Sequence, residues 1–161
     1  MTLDPWAAAQ RLLGRWEGAA TGQPGTGHQV RDYRAVLRGR SILGTDVTHW
    51  EPTADEPDGE VHEDLSMLWL DRGAGQLVMH SFHVEGFVTE SRCVEASPDG
   101  RRLVFVAEHV VNGPPGWRSR ETILLDGDDL LESTFELALP DRDFEPYTHE
   151  RLRRVAEGAT D

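Results

Sequence analysis

The chain has 161 residues and a formal net charge of −13, with 29 acidic residues against 16 arginines and no lysine. The absence of lysine excludes Schiff-base chemistry through a lysine amine. The acidic balance argues against nucleic acid and against anionic membrane surfaces as partners, since both need a basic face. The length is that of one domain over residues 1–161, with room for one core.

Cysteine usage and the N-terminal segment bear on the compartment. Cys93 is the only cysteine, which excludes an intrachain disulfide and a cysteine-based zinc site. The first residues lack the basic start and long apolar run of a signal peptide. No stretch has the roughly 18 apolar residues of a membrane helix. We therefore expect a cytoplasmic protein in a reducing compartment.

The first predicted element is a short helix. Asp4 and Pro5 are a typical helix start, with a carboxylate at the N-cap and proline at the first helical position. Trp6, Ala9 and Leu13 are spaced to share one face. Because Gly14 ends this pattern, the sequence predicts a helix from Pro5 to Leu13.

Short strands separated by turns follow Gly14. The turns are rich in glycine, proline and aspartate, and Ser97 to Gly100 is the most typical hairpin turn. Glu51 to Glu60 is predicted to be a solvated acidic loop. Apolar and polar residues alternate in several segments, including Leu131 to Leu139. The pattern predicts roughly ten strands, joined mostly by hairpins.

A meander of this length has two exposed edges unless it closes on itself. We therefore predict an all-β fold, an antiparallel up-and-down barrel of about ten strands with the helix closing one end. Tyr147 to Val155 is predicted to close the barrel by pairing with Leu13 to Thr21. The alternative is a β-sandwich, which usually needs longer crossovers. A barrel of eight or more strands can hold one small ligand inside.

The segment LLGRWEGAATGQPGTG, Leu12 to Gly27, resembles the opening of lipocalin-like (calycin) barrels, in particular of uncharacterised bacterial members related to nitrobindin-like barrels. Those families begin with a helix, a glycine–x–tryptophan–x–glycine strand, then small residues and a proline. Gly14, Trp16, Gly18, Gly22 and Pro24 match this pattern. Arg118 to Ser133 and His149 to Val155 resemble the later hairpin and the last strand. The resemblance implies a calycin-like barrel, and Trp16 suits a buried position under the helix.

The resemblance also bears on His149. In the nitrobindin branch a histidine on the final strand binds haem iron from inside the barrel, and His149 lies at a comparable distance before Val155. The sequence departs from that branch at Ala19-Ala20, where the haem binders alternate glycine, and at Gln23-Pro24. We therefore predict that His149 contacts a ligand or lies at a mouth of the barrel, on the same face as Tyr147, and is not an obligatory haem ligand.

Three further segments carry ionisable residues. His80 and His83 lie on opposite faces of one strand because side chains alternate, and the sequence does not decide which face is inward. Val61 to Asp64 has residue types that bind metals, but it follows an acidic loop, so a solvated edge is favoured and no metal site is predicted. His109 is expected to line the same opening as the loop from Asn112 to Gly116.

Glu121 lies on the opposite face of its strand from Arg118 and Arg120. If Glu121 faces inward, burial raises the pKa of its carboxyl and makes it a plausible general acid or base. The alternative, which we favour, is a buried carboxylate paired with an arginine across the barrel.

Three functions stay open, since motifs for phosphate loops, nucleophile elbows and HExxH metal sites are absent. The first is a barrel that binds one small, largely apolar molecule, hydrophobic or aromatic, without a cofactor. The second is an isomerase or cyclase with Glu121 or His83 as the catalytic residue. The third is a nitrobindin-like haem protein acting on reactive nitrogen species. A homodimer stays open. The predicted ligand-contacting residues are Trp50, Trp69, Phe82, His83, Phe87, His109, Trp117, Glu121, Phe135, Tyr147 and His149.

Overall fold

The computed structural model describes residues 4–156, and the first element is the predicted helix. Helix α1 spans Pro5–Gln10, and the Asp4 carboxylate accepts a hydrogen bond from the backbone N–H of Trp6 at 3.1 Å. The helix is shorter than predicted. Arg11 and Leu12 bond to carbonyls only three residues back, so the last residues form a tight turn rather than another α-helical turn.

Eleven strands follow the helix within residues 4–156. Their bounds are β1 (Gly14–Gly22), β2 (Gly25–Val36), β3 (Ser41–Trp50), β4 (Glu60–Asp71), β5 (Gln76–His83), β6 (Val88–Ala96), β7 (Arg102–Ala107), β8 (Val110–Val111), β9 (Arg118–Asp126), β10 (Leu130–Ala138) and β11 (Glu145–Arg154). A single 3₁₀ turn, Leu37–Gly39, separates β2 from β3. Ten of these strands form the barrel, and the two-residue β8 adds to the edge of β6.

The barrel is closed, as the sequence predicts. Consecutive barrel strands pair antiparallel from β1 to β7, and the order continues through β9, β10 and β11. Strand β11 pairs with β1 from Trp16↔Arg154 to Gly22↔Thr148, which confirms the predicted closure. Every strand pair described within residues 4–156 is antiparallel. No helix in that range is long and apolar enough to span a membrane.

The helix end of the barrel holds the apolar core. Trp16 is fully buried, and its indole N–H donates to the carbonyl of Leu12 at 2.7 Å. The guanidinium of Arg154 lies 4.1 Å from the ring. Trp16 therefore packs under the helix, as predicted. The rest of this core is formed by Ala8, Ala9, Leu12, Tyr33, Ile42, Leu68, Leu77, Met79, Cys93, Leu103, Phe105, Ile123, Leu125, Leu131 and Leu152.

Strand alternation decides which side chains enter the barrel. The burial pattern and the pairing register place even-numbered residues inward in β1, β3, β4 and β11. Odd-numbered residues face inward in β2, β5, β9 and β10. Away from the helix, these inward positions change from apolar to charged. The chemistry of the chain is therefore concentrated at mid-height and at the end opposite the helix, which we call the open end.

Candidate functional site

A buried arginine organises the middle of the barrel. Arg31 on β2 is only 4% exposed. Its Nη1 lies 3.1 Å from Glu121 Oε1 on β9, and its Nη2 lies 3.4 Å from Glu150 Oε2 on β11. Its Nε donates to Gln29 Oε1 at 2.7 Å and lies 3.6 Å from Asp46 Oδ2. We call Arg31, Asp46, Glu121 and Glu150 the Arg31 cluster.

The cluster bears directly on the role of Glu121. Glu121 faces inward and is bound by Arg31 across the barrel, which is the alternative favoured from the sequence. The hydroxyl of Ser133 adds a second hydrogen bond to the same oxygen, at 3.0 Å. A carboxylate held in this way is well suited to a structural charge pair. Glu150 is 2% exposed, and burial raises the pKa of its carboxyl although Arg31 opposes the shift.

Asp46 is the unusual member of the Arg31 cluster. Burial raises the pKa of its carboxyl to about 7, outweighing the opposing charge of Arg31, and the carboxylates of Glu121 and Asp64 add to the rise. Its Oδ1 is buried and has no hydrogen-bond partner among the described residues. The side chain as a whole is 22% exposed. Buried carboxylate oxygens are normally paired, so this atom is an exception among the buried polar groups of residues 4–156.

Two histidines and an aspartate lie next to Asp46 at the open end. Asp64 on β4 is directly opposite both Asp46 on β3 and His83 on β5. Its Oδ1 lies 3.0 Å from His83 Nδ1 and 3.1 Å from His62 Nε2. The second ring nitrogen of His62, Nδ1, is 3.3 Å from Glu85 Oε1. We call His62, Asp64 and His83 the His–Asp–His cluster.

The three members of the His–Asp–His cluster have shifted pKa values. The hydrogen bond to Asp64 raises the pKa of His62 to about 9. Burial opposes ionisation of Asp64, but hydrogen bonds from the two histidines outweigh it and lower its pKa to about 2. Burial likewise works against a charged His83, and the hydrogen bond to Asp64 reverses the effect and raises its pKa. At neutral pH the cluster therefore holds the Asp64 carboxylate beside a cationic His62 ring.

Aromatic side chains line the open end beside these charges. Phe135 lies between His83 and Tyr147, with ring centroids 6.5 Å from each. The Tyr147 ring meets that of Phe135 edge-on, at an interplanar angle of 78°. Trp50 also faces inward, on the strand position opposite Gly27. The open end therefore combines an aromatic wall with a polar floor.

Some predicted ligand-contacting residues lie elsewhere. Phe82 is 48% exposed and, with Trp69, occupies the outer face of β4 and β5, where the Trp69 indole stacks on His80. Both predictions of an interior position are wrong, because Trp69 and Phe82 lie on the faces of β4 and β5 opposite to those that carry Asp64 and His83. Phe87 and Trp117 lie in the connections that follow β5 and β8, and their ligand contacts stay a prediction. So do those of His109, which is exposed between β7 and β8.

The prediction for His149 needs correction. His149 is exposed on the outer face of β11, between the inward-facing Thr148 and Glu150. Its Nδ1 lies 3.1 Å from the hydroxyl of Thr134 on the outer face of β10. It is therefore not at a mouth of the barrel, and Tyr147 reaches the open end without it. The haem-binding branch implies an axial histidine that faces inward from the last strand, and His149 does not fit that ligation.

The structure also shows residues that the sequence interpretation missed. The sequence pattern does not single out Arg31 or Asp46, and it favours a solvated edge for Val61 to Asp64. Val61 and Glu63 are indeed exposed, but alternation turns His62 and Asp64 into the barrel. A signal for this was present, since the histidine and the aspartate are two residues apart and share a face.

Two shallow depressions lie on the outer surface, away from this site. One, of about 460 Å³, is lined by residues that include Glu17, His28, Arg151 and Arg153. The other, of about 340 Å³, lies beside Ser97, Arg102 and Leu124. Neither brings together an unpaired buried polar atom and a cluster of metal-binding groups. We therefore place the candidate site at the open end.

The fold and the site define a closed ten-stranded antiparallel barrel that fits a calycin-like architecture. No protein-family model matches the chain, and no curated protein matches it. The chain superposes on the crystal structure of Rv2717c from M. tuberculosis with a TM-score of 0.72, over 97% of this chain and 100% of that one, at 16% sequence identity. A protein of unknown function from the DUF3598 family of Nostoc punctiforme gives a TM-score of only 0.31, over 96% of this chain and 100% of that one, at 10% identity. The first likeness supports the fold alone.

Proposed function

We propose that this protein binds one small molecule in the open end of its barrel, and that the guest joins an aromatic or apolar group to a positive charge. The observation that carries the proposal is the buried Oδ1 of Asp46, which has no hydrogen-bond partner among residues 4–156. An ammonium or similar donor would satisfy it. The sequence alone predicts a largely apolar guest, and the aromatic wall of Phe135 and Tyr147 supports that part.

The charge balance supports a cationic group. Six carboxyl groups line the interior or the rim of the open end, and they face one arginine and two histidines; the carboxyl groups are those of Asp46, Glu60, Asp64, Glu85, Glu121 and Glu150. A recess of one sign attracts ligands of the other and disfavours those of its own sign. An anionic guest would add to an existing excess of negative charge.

The proposal is tested with two probes that differ in charge. The protein, kept in EDTA, is titrated with 2-phenylethylamine and with 3-phenylpropionate, and binding is followed by ligand-observed NMR and calorimetry. We expect the amine to bind one per chain and at least about tenfold more tightly than the acid, which corresponds to ~1.4 kcal/mol. Equal affinity for the two probes would contradict the proposal.

Matched variants locate the binding. Phe135→Ala removes an aromatic ring from the open end, whereas Phe82→Ala removes the same ring from the outer face. We expect the first to weaken amine binding and the second to leave it unchanged. Equal losses in both variants would place the amine elsewhere. Native mass spectrometry of the protein purified from its own host would then identify any guest that it carries.

One observation favours a second function, proton transfer on the guest. A general acid or base works best with a pKa near the working pH, and Asp46 combines a pKa of about 7 with a free oxygen at the open end. Asp46 is therefore a better candidate than Glu121, which Arg31 holds as a charge pair. Deuterium uptake by an identified guest in D₂O that is lost in Asp46→Asn, measured at guest concentrations that saturate the variant, would support this function. Uptake unchanged in Asp46→Asn would contradict it.

A further inference from the structure

Strand pairing brings three metal-binding side chains together at the open end. His62 and Asp64 are two residues apart on β4 and face inward, and His83 is directly opposite Asp64 on β5. This register is fixed by eight consecutive residue pairs between the two strands. The three side chains therefore start from rigid backbone positions rather than from a mobile loop.

The donor atoms are already close to the spacing that a metal ion needs. Asp64 Oδ1 lies 3.0 Å from His83 Nδ1 and 3.1 Å from His62 Nε2, and all three atoms lie within 4.8 Å of one another. A divalent ion with bonds of about 2.0–2.2 Å to nitrogen and oxygen places its ligand atoms roughly 3–4 Å apart. Small side-chain rotations are enough to admit the ion. All three side chains are partly buried and still accessible to solvent.

A separate contact orients the ring of His62. Its Nδ1 lies 3.3 Å from Glu85 Oε1, in the turn between β5 and β6, so Nε2 points toward Asp64. Histidines that bind metals commonly donate their other ring N–H to a carboxylate, which fixes the tautomer and the ring orientation. Glu85 is not needed for the hydrogen bonds between Asp64 and the two histidines. It instead takes the position of the second carboxylate that usually orients a metal-binding histidine.

We propose that His62, Asp64 and His83 bind one divalent first-row transition-metal ion, with zinc as the representative ion. Two imidazoles and one carboxylate are a donor set that suits zinc and its neighbours better than calcium or magnesium, which take oxygen ligands. The negative excess of the open end favours a dication. Three protein ligands leave a position of a four-coordinate ion for water or for a guest. This site goes beyond the proposed function and does not require an organic guest.

Metal titration of the guest-free protein tests the proposal. The protein is stripped with EDTA, transferred to chelator-free buffer and titrated with Zn²⁺ by calorimetry and with Co²⁺ by visible absorption. We expect one ion per chain and, for Co²⁺, visible absorption bands typical of a four-coordinate ion rather than of the six-coordinate ion in water. No saturable binding of either ion would overturn the proposal. The amine titration above is done in EDTA, so either proposal can fail without the other.

Variants on the same strands locate the ion. His62→Gln and His83→Gln are each expected to weaken Zn²⁺ binding by at least about 100-fold, since each removes one of three ligands. The control is His80→Gln, three residues before His83 on β5, because His80 faces outward and pairs with Glu90. The assignment would be overturned if His80→Gln weakened Zn²⁺ binding as much as the two ligand variants do, or if His62→Gln and His83→Gln kept the affinity of the wild type for Zn²⁺.

A fourth variant keeps the test decisive if a ligand variant fails to fold. Glu85 is exposed in a turn, so Glu85→Gln is expected to fold like the wild type. It should retain one ion per chain and bind it about 10–100-fold more weakly, because the ring of His62 loses its orienting carboxylate. Unchanged affinity in Glu85→Gln would contradict the site as described.

Discussion

Replacing Arg31 with methionine should be among the most destabilising single changes in the barrel. The substitution keeps a long apolar side chain in a position that is 4% exposed, but it removes the cation that three carboxylates share. Those of Glu121 and Glu150 lie 3.1 and 3.4 Å from the guanidinium, and that of Asp46 lies 3.6 Å away. Removing one partner of a buried ion pair costs about 3–5 kcal/mol because the remaining charge stays buried and unpaired.

The size of the effect depends on which carboxylates stay buried. Glu150 is almost fully buried, whereas the side chains of Asp46 and Glu121 are 22% and 16% exposed and are partly relieved by solvent. We therefore place the cost of Arg31→Met at about 4 kcal/mol near pH 7. This is a large share of the about 5–15 kcal/mol by which a domain is usually stable.

The assay is urea unfolding followed by tryptophan fluorescence, for the wild type, Arg31→Met, and Arg31→Met combined with Glu150→Gln. The double variant should recover part of the lost stability, because it removes the most deeply buried of the unpaired charges. A cost below about 1 kcal/mol for Arg31→Met, or no recovery in the double variant, would refute the view that Arg31 neutralises the interior.

Two further predictions concern residues at opposite extremes of burial. Trp16→Ala should cost about 3–5 kcal/mol in urea unfolding, since it empties a fully buried site under the helix; a near-wild-type melting temperature with loss of amine binding would reverse the assignment. His149→Ala should change stability by no more than about 0.5 kcal/mol and leave any absorption band formed with ferric haem unchanged. A sharp Soret band at one equivalent that disappears in this variant would show that His149 reaches the interior.

The barrel could be predicted from local signals. Turn residues mark the strand ends, and the need to cover two sheet edges makes closure the simplest outcome for a long meander. The pairing of β11 with β1 follows from that closure. The sequence predicts too long a helix because the spacing of Trp6, Ala9 and Leu13 carries the apolar face on to Leu13. In the structure Leu12 instead places its carbonyl against the Trp16 indole.

The direction of individual side chains could not be predicted equally well. In β2 the polar Gln29 and Arg31 face inward while Val30 faces outward, which is the reverse of the usual hydrophobic pattern. In β5 both faces are apolar, and Val78 on the outer face is as buried as Leu77 on the inner one. Such strands carry no periodicity that separates inside from outside. The Arg31 cluster draws on β2, β3, β9 and β11, so only the closed topology brings its members together.

The raised pKa of Asp46 gives a prediction about pH whose sign can be worked out. The carboxyl binds its proton more tightly in the folded chain, with a pKa of about 7, than in the unfolded chain, where the value is 3.8. Between these values folding takes up a proton, so the contribution of Asp46 to the free energy of unfolding falls as the pH rises from about 4 to about 7. A pKa difference of this size corresponds to at most ~4 kcal/mol.

Asp46→Asn should remove this contribution, because the amide is neutral at every pH. In EDTA, the variant is expected to gain stability relative to the wild type as the pH is raised from 5 to 8 (~1–4 kcal/mol by the same linkage). The groups facing Asp46 are Arg31, Asp64, Glu121 and Glu150, and they are present in both proteins, so the comparison isolates Asp46. The exposed Asp126→Asn is the matched control for replacing an aspartate with an asparagine, and its free energy of unfolding is measured over the same pH range. The free energies of unfolding of Asp46→Asn and of the wild type could instead change in parallel between pH 5 and 8. That result would mean that Asp46 is ionised in the folded protein throughout this range, and it would contradict the proposal that Asp46 transfers protons.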